Sequence, residues 1–177
     1  MKQYVVPRKI RGVKGFEQVV HNLNRELMAL EERSLAGLLH AIAFVRVDMD
    51  KTPPTIPVDL GNLRASWFVC TKKSTKTDEP VWDAGPDREG EFRDVAKLSS
   101  DHSSAIQFAK QAANSVKHSN VVAGFSANYA APVHEMEDTK SVNWNQPGSG
   151  SWFFVSALNR NKDEIVKIVA ENSKIKE

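Results

Sequence analysis

The sequence predicts an α+β domain, in which a long N-terminal helix and a C-terminal helix pack on an antiparallel sheet of about three to five strands. Apolar residues near both ends of the chain recur at steps of three and four, which is the spacing of one helix face. Between these segments, short apolar runs are bounded by proline and glycine, as is typical of strands. With 177 residues, of which 41% are hydrophobic, the chain can fill one core.

The first 15 residues are predicted as a separate segment. They include five basic residues and no acidic one, and a proline and two glycines discourage regular structure. We therefore predict an extended basic arm over 1–15 and a single domain over 16–177. Two interpretations of the arm remain open. It is either a frayed terminus or a segment whose basic residues, such as Lys9 and Arg11, contact a neighbouring subunit or an acidic surface.

The next segment carries the strongest helical pattern, because its apolar positions alternate between steps of four and three residues. These positions are Phe16, Val20, Leu23, Leu27 and Leu30, and the stripe resumes with Leu35, Leu38, Leu39, Ile42 and Val45. No proline intervenes before Pro53, so the pattern predicts one helix from about 16 to about 49, near 50 Å long at about 1.5 Å per residue. We expect this helix to flank the sheet and to project toward a partner.

Three prolines within 52–57 end the long helix, and a turn-forming group follows. In that group Asp59 and Asn62 can hydrogen-bond their own turn, and Gly61 can take a positive φ without steric strain. The turn leads into Leu63–Thr71, whose alternation predicts the first strand.

A long insertion, 71–120, is predicted between the first two strands. Its polar and charged beginning, 72–98, is expected to be a surface elaboration. A helix is predicted at about Ser100 to Lys117, where alanines and Ile106 supply a weak apolar face.

The C-terminal third contains shorter elements. Val121 to Ala127 is predicted as the second strand. Trp152 to Val155 is predicted to form either another strand or the start of a helix. Ala157 to Lys174 is predicted as the closing amphipathic helix. The longest largely apolar run, Leu35 to Val45, is too short to span a bilayer, so no membrane is expected as a partner.

Motifs that carry catalytic chemistry receive little support. The single cysteine excludes a thiolate zinc cluster, and neither a Gly-x-Ser-x-Gly nucleophile motif nor a Walker-type phosphate loop occurs. The run from His134 and Glu135 to Asp138 begins like the zinc motif His-Glu-x-x-His, but its fifth residue is an aspartate. We predict no enzyme and no cofactor. A metal-dependent hydrolase that uses His134, Glu135 and Asp138 remains an alternative.

The charge balance argues against a protein built mainly to hold nucleic acid, because 24 basic residues are set against 22 acidic ones. The basic arm, a lysine-rich run from Lys72 to Lys76 and four tryptophans still provide charge and stacking surface. A small DNA-binding accessory protein is therefore a second alternative, and incidental contact with the DNA backbone stays open even without such a role.

Three segments, in order, resemble the small head–tail joining or tail-completion proteins of long-tailed bacteriophages. The similarity lies in Pro57-Val58-Asp59-Leu60-Gly61-Asn62-Leu63-Arg64-Ala65-Ser66-Trp67, in Val122-Ala123-Gly124 with Tyr129-Ala130-Ala131-Pro132-Val133-His134-Glu135, and in Phe153-Phe154-Val155-Ser156-Ala157-Leu158. The resemblance covers roughly 1–70 and 121–177. It departs from the family in the long insertion and in Met136-Glu137-Asp138, which stands where the family has Gly-Thr.

The resemblance implies a non-enzymatic virion protein of the phage neck, assembled in the host cytoplasm. It would form a closed ring of about six copies, or twelve at the portal side. Its partners would be copies of itself and the neighbouring portal, adaptor or tail-tube proteins. The candidate interface residues are Asp59, Gly61, Arg64, Trp67, Tyr129 and Trp144, together with Lys9 and Arg11 of the arm. For the turn at 59–64, a purely structural role is the open alternative.

Overall fold

The structure, a computed structural model, describes residues 16–58, 62–72, 95–137 and 142–174. Within these ranges the helices are α1 (Phe16–Lys51), α2 (Asn62–Ala65), α3 (Val95–Ser115), α4 (Ala130–His134), α5 (Phe153–Arg160) and α6 (Lys162–Ser173), and the strands are β1 (Trp67–Thr71) and β2 (Val121–Phe125). Helices and an antiparallel sheet in one chain confirm the predicted α+β class. The predicted arm and much of the insertion lie outside the described residues.

Helix α1 confirms the long helix predicted from the apolar stripe and continues to Lys51, two residues past the predicted end. Its 36 residues extend about 54 Å at about 1.5 Å per residue. Thr52 still donates its backbone N–H to Asp48 at 2.9 Å, and the helix stops there because Pro53 and Pro54 cannot supply the next donors.

The first predicted strand was wrong at its beginning. Residues Asn62–Ala65 form the short helix α2, and β1 starts only at Trp67. The Ser66 hydroxyl donates to the Leu63 carbonyl at 2.8 Å, and the Ser66 N–H reaches the Asn62 carbonyl at 3.0 Å. These local bonds, with Leu63 buried beneath them, favour a helical turn over an extended strand.

The sheet is smaller than predicted. In the described part of the chain it has two antiparallel strands, in a register that pairs Trp67 with Phe125 and Thr71 with Val121. The expected three to five strands were wrong because Trp152–Val155 enters helix α5, and Thr55 makes only an isolated parallel bridge to Ser149.

Helix α3 makes the predicted insertion part of the core. It begins at Val95, earlier than predicted, and packs on both strands. Its buried Ile106 and Ala109 contact Phe68 and Cys70 on one face of β1. The other face carries Trp67, which packs toward the main core below α1 and α5. The two-stranded sheet therefore lies between α3 and the long helix.

The closing helix is interrupted. Asn161 separates α5 from α6, and its side-chain amide donates to the Ala157 carbonyl at 2.9 Å. Helix α6 then runs antiparallel to α1, because Ser173 lies beside Ser34 while Arg160 reaches Asp48. The main core lies at the Asp48 end of this pair. Its buried members are Val45, Met49, Ile56, Leu63, Ala127, Ala130, Phe153 and Ala157.

Candidate functional site

A cluster of charged side chains lies where the C-terminal end of α1 meets α2. Asp50 accepts from Arg46 at 2.6 Å and from Arg64 at 3.0 Å, both on the same carboxylate oxygen. The candidate interface residue Arg64 was predicted to lie within the first strand, Leu63–Thr71. It instead lies in α2 and pairs with α1 of its own chain, with 48% of its side chain still exposed.

Trp67 links this charged cluster to the aromatic core. The Arg46 guanidinium carbon lies 5.9 Å from the centroid of the Trp67 ring, a cation–π contact. The same ring meets Phe125 edge-on at 5.0 Å and Phe154 at 5.6 Å. Most of its surface is therefore used within the chain, and its role as a candidate interface residue is limited to the part that remains exposed.

A second ion pair fixes the loop after α1. Arg160 donates to Asp48 through Nε at 3.1 Å and also to the carbonyl oxygens of Thr52 and Pro53, each at 3.2 Å. Burial alone would raise the pKa of Asp48, but hydrogen bonds from Arg160, Thr52 and Asn161 outweigh it and hold the pKa below its ordinary value. The Arg160–Asp48 ion pair therefore holds α5 against the end of α1, which is a structural role.

His134, the first residue of the alternative metal motif, is surrounded by aromatic rings. Its ring centroid lies 4.9 Å from that of Phe153 and 5.5 Å from that of Trp152, and its Nε2 accepts from the Val155 N–H at 3.4 Å. Burial lowers the pKa of His134 despite the opposing charge of Glu135. The imidazole is held in a neutral, packed position.

The remaining residues of that motif do not join it in the described structure. Glu135 is exposed, and Asp138 lies outside the described residues. No group of three or more histidine, cysteine, aspartate or glutamate side chains that could hold a metal occurs in the ranges described above.

Two of the predicted aromatic positions are partly accessible. Tyr129, which precedes α4, is 38% exposed, and Trp144 is half-buried. Trp152, which is not among the candidate interface residues, is 44% exposed, and nearby Val155 is similarly accessible. We call Trp152 and Val155 the Trp152 patch. Trp152 takes a left-handed backbone conformation, φ 59°, immediately before α5, and no periodicity of the sequence marks such a position.

A set of exposed apolar residues lies at the opposite end of α1. Val19, Leu23, Leu27 and Leu30 are 60%, 51%, 50% and 41% exposed, and we call these four residues the α1 seam. At 100° per residue they fall within about 80° of one another around the helix axis. The sequence stripe included three of these residues, but it did not show that they are uncovered.

Four candidate residues lie outside the described part of the chain: Lys9 and Arg11 in the arm, and Asp59 and Gly61 in the turn. Their proposed interface role stays a prediction. The structure thus brings Arg64 and Trp67 together through Arg46, while Tyr129 lies before α4 and Trp144 lies between α4 and α5.

Comparisons of the chain with protein-family models, with curated proteins and with solved structures found no match. No described helix combines the length and the apolar character needed to cross a membrane. The functional assignment therefore depends on the sequence pattern and on the surfaces described above.

Proposed function

We propose that this protein is a structural component of the neck of a long-tailed bacteriophage, where its copies form a closed ring that joins head to tail or completes the tail tube. It performs no catalysis, and its action is to hold neighbouring copies and adjacent rings together. A ring of about six copies is expected, with twelve as the alternative at the portal side. Portal, adaptor or tail-tube proteins are the expected neighbours.

The observation that carries this proposal is the exposed α1 seam. Its four large apolar side chains keep between 41% and 60% of their surface accessible in a single chain. Contiguous apolar surface of this kind marks protein–protein contact sites, because burying it on association releases water from apolar groups. The sequence resemblance in three ordered segments supports the same class of function.

The position of the Trp152 patch adds to this argument. The patch lies next to His134 and the main core, at the end of the molecule opposite the α1 seam. A ring built by head-to-tail contacts needs two different surfaces on each subunit, since one surface of a copy meets another surface of the next. The α1 seam and the Trp152 patch are two separate apolar surfaces on one chain, so each can contact a different neighbour, whether the next copy or an adjacent ring.

Electron microscopy of the purified full-length protein, combined with its mass in solution, tests the proposal. We expect closed rings of one copy number. Leu23→Gln with Leu27→Gln should shift the protein toward monomers, whereas Val166→Gln should not, although Val166 on α6 is 63% exposed.

Three outcomes would contradict the proposal. A wild-type protein that stays monomeric at all accessible concentrations would contradict the proposed ring. Stoichiometric metal with hydrolytic activity would favour the hydrolase alternative. Tight DNA binding that weakens steeply with salt would favour the DNA-binding accessory alternative.

A further inference from the structure

The α1 seam continues the helix face that α6 covers. Along α1 the positions Val20, Leu23, Leu27, Leu30, Ser34, Gly37 and Ala41 follow each other at alternating steps of three and four, which is a coiled-coil spacing. Ser34 lies 3.3 Å from Ser173 of α6, between their hydroxyl oxygens, and Ser173 is the last residue of that helix. The part of this face that α6 covers ends there. Toward Phe16 the face continues with Leu30, Leu27 and Leu23, which are 41–51% exposed, and with Val20, which is buried within the chain.

Side-chain size changes at the same place. Where α6 packs, the face carries Ser34, Gly37 and Ala41, and a Cβ on Gly37 would lie only 3.0 Å from the Cα of Val169. Where α6 is absent, the face carries leucine at three successive positions. Small residues allow the close approach of α6. The leucines present a broad apolar surface for a second, separate segment.

The charges beside the α1 seam argue against pairing with the same helix of a second copy. In coiled-coil positions, Glu26 and, at the end nearest α6, Arg33 flank the seam on one side, and Glu17 and Glu31 flank it on the other. A parallel pair would set Glu26 against Glu31 of the partner helix. The antiparallel pair that matches Leu23 with Leu27 would set Glu26 against its own equivalent and Glu17 against Glu31. Both arrangements place like charges together.

A segment that combines apolar and basic side chains fits this surface better, and the chain carries one. Residues 1–15 include Tyr4, Val5, Val6, Ile10 and Val13 between five basic residues, with no acidic residue. Its apolar side chains would cover the leucines, while its lysines and arginines would face the flanking glutamates. Resting on the ring proposed above, we propose that segment 1–15 of one copy binds along the α1 seam of its neighbour and links successive subunits.

The lengths are compatible with this link. Val19 and Leu30 are separated by about 16 Å along the helix axis, at about 1.5 Å per residue. An extended chain covers about 3.3 Å per residue, so about five residues span that distance. About ten residues of the 15-residue segment then remain, and an extended chain of that length can cover up to about 33 Å between subunits.

Charge reversal in the full-length protein tests the link. The first variant carries Arg8→Glu, Lys9→Glu and Arg11→Glu; the second carries Glu17→Lys and Glu26→Lys. Each variant alone should lose the ring and sediment as smaller species, because its arm and its seam then have the same charge. An equimolar mixture should regain the ring, since each arm then meets an oppositely charged seam on the other variant.

The mixture distinguishes an arm that binds the α1 seam of a neighbouring copy from an arm that binds the α1 seam of its own copy. If each arm binds its own seam, the mixture behaves as the average of the two variants, and the inference is overturned. If only the second variant loses the ring, α1 helices or another protein occupy the seam, which also overturns it. A ring that survives both variants ends this inference but leaves the proposed function intact, whereas a monomeric wild-type protein ends both.

Matched controls show whether charge alone matters. Lys162→Glu with Lys167→Glu changes exposed lysines on α6, and Glu171→Lys changes an exposed glutamate of the same helix. Neither should affect the ring. Circular dichroism of all variants should retain the wild-type helical content, because Glu17 and Glu26 are exposed and make no buried contact.

Discussion

The two halves of α1 have the same apolar period but differ in what covers them. From Ser34 to Lys51 one face of the helix is covered by α5 and α6, and Val45 and Met49 are completely buried. Between Val19 and Leu30 the four residues of the α1 seam remain 41–60% exposed, whereas Val20 is buried. A hydrophobic stripe therefore shows where a helix can bury surface. It does not show whether the partner belongs to the same chain.

This difference has an energetic consequence. Substitutions in the covered half should change the free energy of unfolding of the isolated chain, because they remove contacts within it. Substitutions in the exposed half should change association, because those side chains contact little in the monomer. The following predictions test this contrast, from the largest expected effect to the smallest.

The largest effect is expected for Phe153→Ala. Phe153 is completely buried, and its ring meets Phe125 edge-on at 5.5 Å and His134 at 4.9 Å. Removing it should lower the free energy of unfolding by about 3–5 kcal/mol through lost burial and a residual cavity. Urea denaturation followed by circular dichroism measures the change. A loss below about 1 kcal/mol would contradict the described core.

A smaller effect, about 1–3 kcal/mol, is expected for Arg160→Ala, because three acceptors around the end of α1 lose a charged donor. Those acceptors are the Asp48 carboxylate and the carbonyl oxygens of Thr52 and Pro53. Lys167→Ala is the matched control, since Lys167 makes only an exposed contact with Glu164 and should change stability by less than about 0.5 kcal/mol.

The same ion pair predicts an acid dependence. The pKa of Asp48 is lower in the folded chain than its ordinary value of 3.8, so the unfolded state binds its proton first as the pH falls. The stabilisation by Asp48 is complete above the ordinary pKa and is lost as the pH falls through the folded pKa. Asp48→Asn should therefore flatten the loss of stability below about pH 4. If chemical denaturation of Asp48→Asn shows the same fall in the free energy of unfolding at acid pH as the wild type, Asp48 does not contribute to the acid dependence.

Gly37→Ala tests the boundary between the two halves. In an exposed helix the change would stabilise by up to about 1 kcal/mol. Here the added methyl group would meet the backbone of Val169 at 3.0 Å and force α6 away from α1. We expect a net loss of about 1–2 kcal/mol in thermal or urea unfolding. A gain in stability would mean that the two helices are not in close contact.

The smallest effect on the monomer is expected for Leu27→Gln in the exposed half. About half of Leu27 is already in water, so unfolding at a concentration where the chain is monomeric should change by less than about 1 kcal/mol. The same variant should weaken self-association in sedimentation velocity at higher concentration. A large loss of monomer stability would show that Leu27 packs within its own chain.

Sequence reasoning identified the elements with strong local signals. The period of α1 and its prolines located the long helix to within two residues of its end, and the alternation near Trp67 located a strand. The strand began too early in the prediction because local bonds of Ser66 favour a helical turn. The break at Asn161 was missed because an asparagine within an amphipathic pattern carries no strong signal.

The candidate site was less predictable. The sequence predicted Arg64 and Trp67 as site residues, but not Arg46 and Asp50, which precede them by 14 or more residues and supply the pairing groups. The i, i+4 spacing of Arg46 and Asp50 was a local signal of an ion pair. No pattern of neighbouring residues indicated that Arg64 would pair with Asp50, because that contact depends on how the segment between α1 and α2 folds back toward α1.

By itself the sequence determined the long helix, its end at the prolines, the α+β class and the positions that can be apolar on each face. Each of these follows from hydrogen bonds and side-chain periods within a few neighbouring residues. The tertiary structure alone decided that α3 covers the sheet and that the sheet has two strands among the described residues. It also decided that α6 ends beside Ser34 of α1. These outcomes depend on contacts between residues far apart in the chain. A local pattern shows that a surface is apolar, but it does not show which other element of the chain will cover that surface.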